Sequence, residues 1–171
     1  MINELDTVAL GFDYPGAQSL DRLRDRLSNL PVGATRTAME RFVERVARLD
    51  LGEWEELHTS TLDLSPAFVP YVGHVIWGES YRRGVFMADL QREQRKAGID
   101  QGGELPDHLQ PVLRYLAAVD GPLPELVEVL PTAIEEMRKE LKKAQGNNPY
   151  RHLLGAAVAA VDSRLAKGAS V

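Results

Sequence analysis

Thr37-Ala38-Met39-Glu40-Arg41-Phe42-Val43-Glu44-Arg45-Val46-Ala47-Arg48-Leu49 decides the fold class. Its apolar residues Met39, Phe42, Val43, Val46 and Leu49 recur at intervals of three and four, which places them on one face of a helix and turns the charges to the other. Thr37 and Glu40 have the spacing of a capping box, although Gly33 lets the helix begin a few residues earlier. The same rhythm spreads outward. Leu20, Leu23, Leu27 and Leu30 form an earlier stripe, and Leu126, Leu130, Ile134, Met137 and Leu141 a later one, interrupted or kinked at Pro131. Tyr150, Leu153, Leu154, Ala157, Val158, Val161 and Leu165 form a final helix behind Asn148-Pro149, with residues 166–171 fraying.

Between these stripes, Ser65-Pro66 reads as a helix start, with serine as cap and proline at the first helical position. Val69, Val72, Ile76, Ser80, Arg83, Met87 and Leu90 then keep helical spacing up to Gly98. The expectation is a kinked helix of about 30 residues, by the periodicity rule. Leu105, Leu109, Val112, Leu113, Leu116 and Ala117 form another stripe, opened by Pro106 and closed by Asp120-Gly121-Pro122. No segment alternates apolar and polar residues over strand length, and Pro70 disqualifies Phe68–Val72 as a central strand. The expected architecture is all-α, a single-domain helical bundle over residues 1–171 with one long central helix.

Composition narrows function. The 171 residues include no cysteine, which excludes disulfides, thiolate metal sites and thiol catalysis. A net charge of −5 offers no general attraction to nucleic acid or anionic lipid. No apolar run is long enough to span a bilayer, and the opening residues lack the character of a secretory signal, so a cytoplasmic location is expected. Arg82-Arg83 resembles a twin-arginine export signal only superficially, since no apolar stretch follows it. His58, His74, His108 and His152 show no metal-ligand spacing, so no metal is expected. Gly73, Gly78 and Gly84 do not match a phosphate loop, and no nucleophile elbow is present. Neither a cofactor nor a catalytic residue is therefore expected.

Two segments look functional. Gly73, Trp77, Ser80, Gly84 and Ala88 fall along one stripe of the long helix, a small-residue floor for a packed helix or for a groove beside Tyr71, His74, Trp77 and Tyr81. Glu79 has the spacing to pair with Arg82 or Arg83. In the second segment, Glu104, Asp107 and His108 either lead into a helix or offer acceptors to an arginine-bearing partner.

Leu62-Asp63-Leu64-Ser65-Pro66, Gly78-Glu79-Ser80-Tyr81-Arg82-Arg83-Gly84 and Glu104-Leu105-Pro106-Asp107-His108-Leu109, in that order, resemble the NarJ-type nitrate reductase assembly chaperones of the TorD/DmsD group. Val8-Ala9-Leu10-Gly11-Phe12-Asp13-Tyr14-Pro15 is similar to that family's first helix, so the resemblance covers roughly residues 8–120. It implies a helical chaperone, not an enzyme. Such a chaperone binds the N-terminal segment of a molybdoenzyme's apo catalytic subunit, from nitrate reductase or a related enzyme, and holds it for molybdenum cofactor insertion before docking or export. Cofactor-insertion proteins are further implied partners. The family positions carried over are Asp63, Glu79, Arg82, Arg83, Gly84, Glu104, Pro106, Asp107 and His108. Of these, Glu79, Arg82, Arg83, Glu104, Asp107 and His108, with Tyr71, His74, Trp77 and Tyr81 from the groove reading, give the candidate peptide-binding set. Leu62 replaces a frequent aromatic, and His108 a frequent tyrosine, which leaves the client open. The competing readings are a helical peptide-binding adaptor unrelated to molybdoenzymes and a small helical enzyme using His74, His108 and nearby carboxylates.

Overall fold

Apolar spacing becomes helix along most of the chain. The computed structural model describes residues 3–64 and 66–169. In order, the α-helices are α1 (Glu4–Gly11), α2 (Ser19–Ser28), α3 (Ala34–Val46), α4 (Leu51–His58), α5 (Val72–Trp77), α6 (Tyr81–Lys96), α7 (Leu109–Ala118), α8 (Pro124–Ala144) and α9 (Tyr150–Ala169). A π-helical turn, Thr59–Asp63, continues directly from α4. No strand occurs among the described residues, and the fold is all-α.

The core lies where the apolar faces meet. Helix α9 packs against α3, α8 and α1, while α1 also packs against α7 and α8 against α5. Phe42 of α3 meets Tyr150 of α9 edge to face, with ring centroids 5.1 Å apart. Met39, Phe42, Leu109, Leu113, Leu130 and Leu154 are fully buried, consistent with the stripes read from the sequence. Helix α8 runs unbroken through Pro131. Helix α9 continues through Ala169, beyond the expected fraying point at 166, and residues 170–171 lie outside those described.

Three local expectations need correction. The helix expected from Pro66 to Gly98 is two helices, because residues 66–70 are irregular and Gly78 adopts φ 66°. Pro70 explains the first part, since the residue before a proline is pushed away from helical geometry. Gly78 ends α5, its N–H reaching the His74 carbonyl at 2.8 Å, and Ser80 then caps α6 by accepting from the Arg83 N–H. The expected Ser65 cap lies outside the described residues.

Secondly, α3 starts at Ala34 with Gly33 as its cap, so Thr37 and Glu40 form no capping box. Glu40 instead accepts from Arg36. Thirdly, α7 starts at Leu109 with His108 as cap, not at Pro106, and Leu105 is 47% exposed, off the buried stripe. Helix α4 has no counterpart among the stripes, although Asp50 and Glu53 form a complete capping box at its start.

Candidate functional site: a polar clasp beside an acid-rimmed groove

The break at Gly78 gives the second motif a physical meaning. Because Ser80 starts a new helix, Arg83 falls in its first turn and points inward. Its Nε donates to Asp107 Oδ2 at 3.0 Å and its Nη2 to Oδ1 at 3.2 Å, a two-pronged pair. The Gly73 N–H donates to the same Asp107 Oδ2 at 3.0 Å. Asp107 is fully buried and the Arg83 side chain nearly so. Gly73 is needed for this approach, because a Cβ there would lie 2.8 Å from Asp107 Oδ2 and 3.0 Å from Arg83 Cγ.

Backbone contacts reinforce the pair. The Val72 N–H donates to the Asp107 carbonyl at 2.8 Å, and the Leu109 N–H to the Pro70 carbonyl at 2.9 Å, forming an isolated antiparallel bridge between Tyr71 and His108. Tyr71 donates its hydroxyl to Glu104 at 2.9 Å and meets the His108 ring edge to face at 5.3 Å. Burial first, and then the Glu104 hydrogen bond, push the Tyr71 phenol up to about 12. His108 Nδ1 accepts from the Gln110 N–H at 3.1 Å, so that nitrogen carries no proton. Burial holds the His108 imidazole below the ordinary histidine range, against the pull of Glu104, Asp63 and Asp107. Gln94 closes the arrangement from α6 by donating to the Pro106 carbonyl at 2.8 Å.

Tyr71, Arg83, Glu104, Asp107 and His108 therefore form one polar clasp joining α5, α6 and the 101–108 connection. Asp107 does not present free acceptors to an outside arginine, because the chain supplies its own in Arg83. The expected pairing of Glu79 with Arg82 or Arg83 is also replaced, since Glu79 precedes α6 and both arginines point elsewhere. Arg82 pairs with Glu125 of α8 and lies 4.7 Å over the Trp77 ring, which in turn packs on Phe86. The stripe of Gly73, Trp77, Ser80, Gly84 and Ala88 is split by Gly78, and Gly84 faces open space. Tyr81 is 90% exposed.

His74 points to a different feature. It lines a groove of about 340 Å³ between residues 66–69, α5 and α8. Ala67, Val69 and Val75, all half-buried, supply apolar surface over the buried Phe68 and Met137, and Glu136 and Glu140, four residues apart on α8, bring two carboxylates to it. Lys139 donates to Glu136 at 3.2 Å. The sequence points to His74 but not to its α8 partners, because those acids look like an ordinary solvated face.

No family model matches the chain, and no curated protein is significantly similar to it. Function must therefore be read from the site. Among the described residues, no group of three or more His, Asp or Glu side chains is arranged to hold a metal ion. No helix among them is long and apolar enough to cross a membrane.

Proposed function

We propose that the chain is a maturation chaperone that holds the N-terminal segment of a molybdoenzyme's apo catalytic subunit during cofactor insertion. The observation carrying this reading is the groove of about 340 Å³ that joins an apolar floor to the carboxylates of Glu136 and Glu140. A client segment that folds into an amphipathic helix would lay apolar anchors on the half-buried Val69 and Val75 and bring basic residues to that rim. Apolar burial would provide affinity, and the charges orientation. The three motif segments support the choice of client class, and two of them build the clasp that fixes α5 beside the groove.

In this reading the candidate residues divide by role. His74 meets the client directly, and Trp77, Tyr81 and Arg82 extend the surface on the solvent side. Tyr71, Arg83, Glu104, Asp107 and His108 position α5. The chain performs no turnover and needs no cofactor of its own. It holds the immature client in the cytoplasm until cofactor insertion removes the preference for the bound state.

The test is affinity purification of the tagged full chain from cells grown by anaerobic respiration, with bound proteins identified by mass spectrometry. A molybdoenzyme catalytic subunit lacking its cofactor is expected. Its recovery should fall about tenfold with Glu140→Lys, as for an orienting charge pair that has been reversed. If that subunit is expressed but never recovered, the chaperone reading fails. Reproducible capture of a different basic amphipathic segment would establish an adaptor instead.

A further inference from the structure

His58 lies where α4 passes into the π-helical turn, with a side chain only 8% exposed. Its Nε2 is 3.1 Å from the Phe12 carbonyl. A carbonyl only accepts, so Nε2 carries the hydrogen and, in the neutral ring, Nδ1 presents a lone pair. That Nδ1 is buried, without a hydrogen-bond partner among the described residues, and faces Asp63 Oδ2 at 3.8 Å. Two acceptors thus face each other across a gap just too long for a hydrogen bond. Such a pair is unfavourable while the ring is neutral and becomes an ion pair when Nδ1 takes a proton.

The other groups around the ring make Asp63 the natural partner. Tyr14, from the connection after α1, meets it edge to face at 5.2 Å, and Tyr150 of α9 at 6.1 Å. Tyr14 donates to Glu55, and Tyr150 accepts from the Trp54 indole N–H. Of the nearby charges, Asp13 is held by Arg114 of α7, while His108, at the start of α7, opposes a positive charge on His58. The Asp63 side chain is 44% exposed.

Asp63 also ends the turn that anchors one wall of the groove. The Ala67 N–H donates to the Thr61 carbonyl at 3.1 Å, tying residues 66–69 to the same turn. We propose that His58 and Asp63 form a proton-operated catch: on acidification the His58 Nδ1–H engages the Asp63 carboxylate and tightens the 66–69 wall of the groove. No bond other than the N–H is made or broken, and the proton comes from solvent. The catch does not depend on what the groove binds.

The test is nitrogen-15 NMR of the histidine rings in the full chain, with amide hydrogen exchange at residues 67–69. Both are followed from about pH 8 to about pH 5, the interval in which histidine changes charge. At the alkaline end, His58 should carry its hydrogen on Nε2 alone. Protonation of Nδ1 should then slow exchange at 67–69 by about tenfold, after correction for intrinsic pH dependence, as for one charge-assisted hydrogen bond to a half-exposed acid. Asp63→Ala, at a half-exposed position, should abolish that slowing. The proposal is overturned if the wild-type exchange does not change, or if Asp63→Ala retains the change, which would assign it to His108. His58→Gln, which keeps a donor for Phe12, must give the same flat profile.

Discussion

Helices α3 and α9 pack together with Phe42 against Tyr150, and the buried residues they carry, among them Met39, Val43, Val46, Leu153 and Ala157, are nearly all apolar. Helices α5 and α6 meet the 101–108 connection through an arginine, an aspartate, a tyrosine, a glutamate and a histidine. The first contact is non-directional, so any well-packed set of similar volume satisfies it. The second is directional, and each group depends on a particular atom of another. One region tolerates variation in its parts, whereas in the other, removal of Asp107 or Arg83 strands its buried partner. The Arg83–Asp107 pair is thus more sensitive to substitution than the apolar contact.

Asp107→Ala should break this contrast open most visibly. It leaves the Arg83 charge and the Gly73 N–H without their acceptor, at a cost of about 3–5 kcal/mol, the usual penalty for halving a buried ion pair. Urea unfolding measures it, and a loss below about 1 kcal/mol would place the clasp with ordinary surface pairs. A smaller effect is expected from Met39→Leu at the α3–α9 contact, about 1.5 kcal/mol at most, since volume is nearly conserved. A larger loss there would erase the distinction between the regions.

The smallest expected effect is at His108. Replacing it with alanine removes the α7 cap and should cost about 1 kcal/mol above neutral pH. Because burial lowers the His108 pKa in the folded chain, its contribution is full above the ordinary value of 6.5 and is lost as pH falls below it. The difference between wild type and His108→Ala should therefore narrow in acid, whereas that between wild type and Met39→Leu should not. Unfolding curves at several pH values separate the two.

The same contrast explains what is legible in the sequence. Apolar spacing reports a buried face directly, so the helices around Leu23, Met39, Leu130 and Leu154 can be placed from the order of residues alone. The break at Gly78 is masked because apolar spacing continues across it from Val72 to Leu90. The signals that reveal it are local: Pro70 in front, a glycine free to adopt positive φ, and a serine two residues later able to cap. Helix α4 escapes the periodicity although Asp50 and Glu53 announce it, because Gly52 and the crowded acids hide a stripe only one turn wide. At the site, short motifs pick out Arg83 and Asp107 individually. Their partnership is not legible, because periodicity says nothing about contacts between residues 24 positions apart. The α8 side of the groove is invisible for the same reason.

The placement of α1 also bears on how the chain is made. Residues 4–11 find most of their partners in α7 and α9, so α1 leaves the ribosome well before the segments on which it packs. At about 5–20 residues per second, the roughly 140 residues separating α1 from α9 take about 7–30 s to emerge. Until α7 and then α9 emerge, Leu5, Val8 and Ala9, all buried in the finished fold, lack most of their cover. During synthesis those residues form an apolar surface of the kind that a cell's holding factors bind.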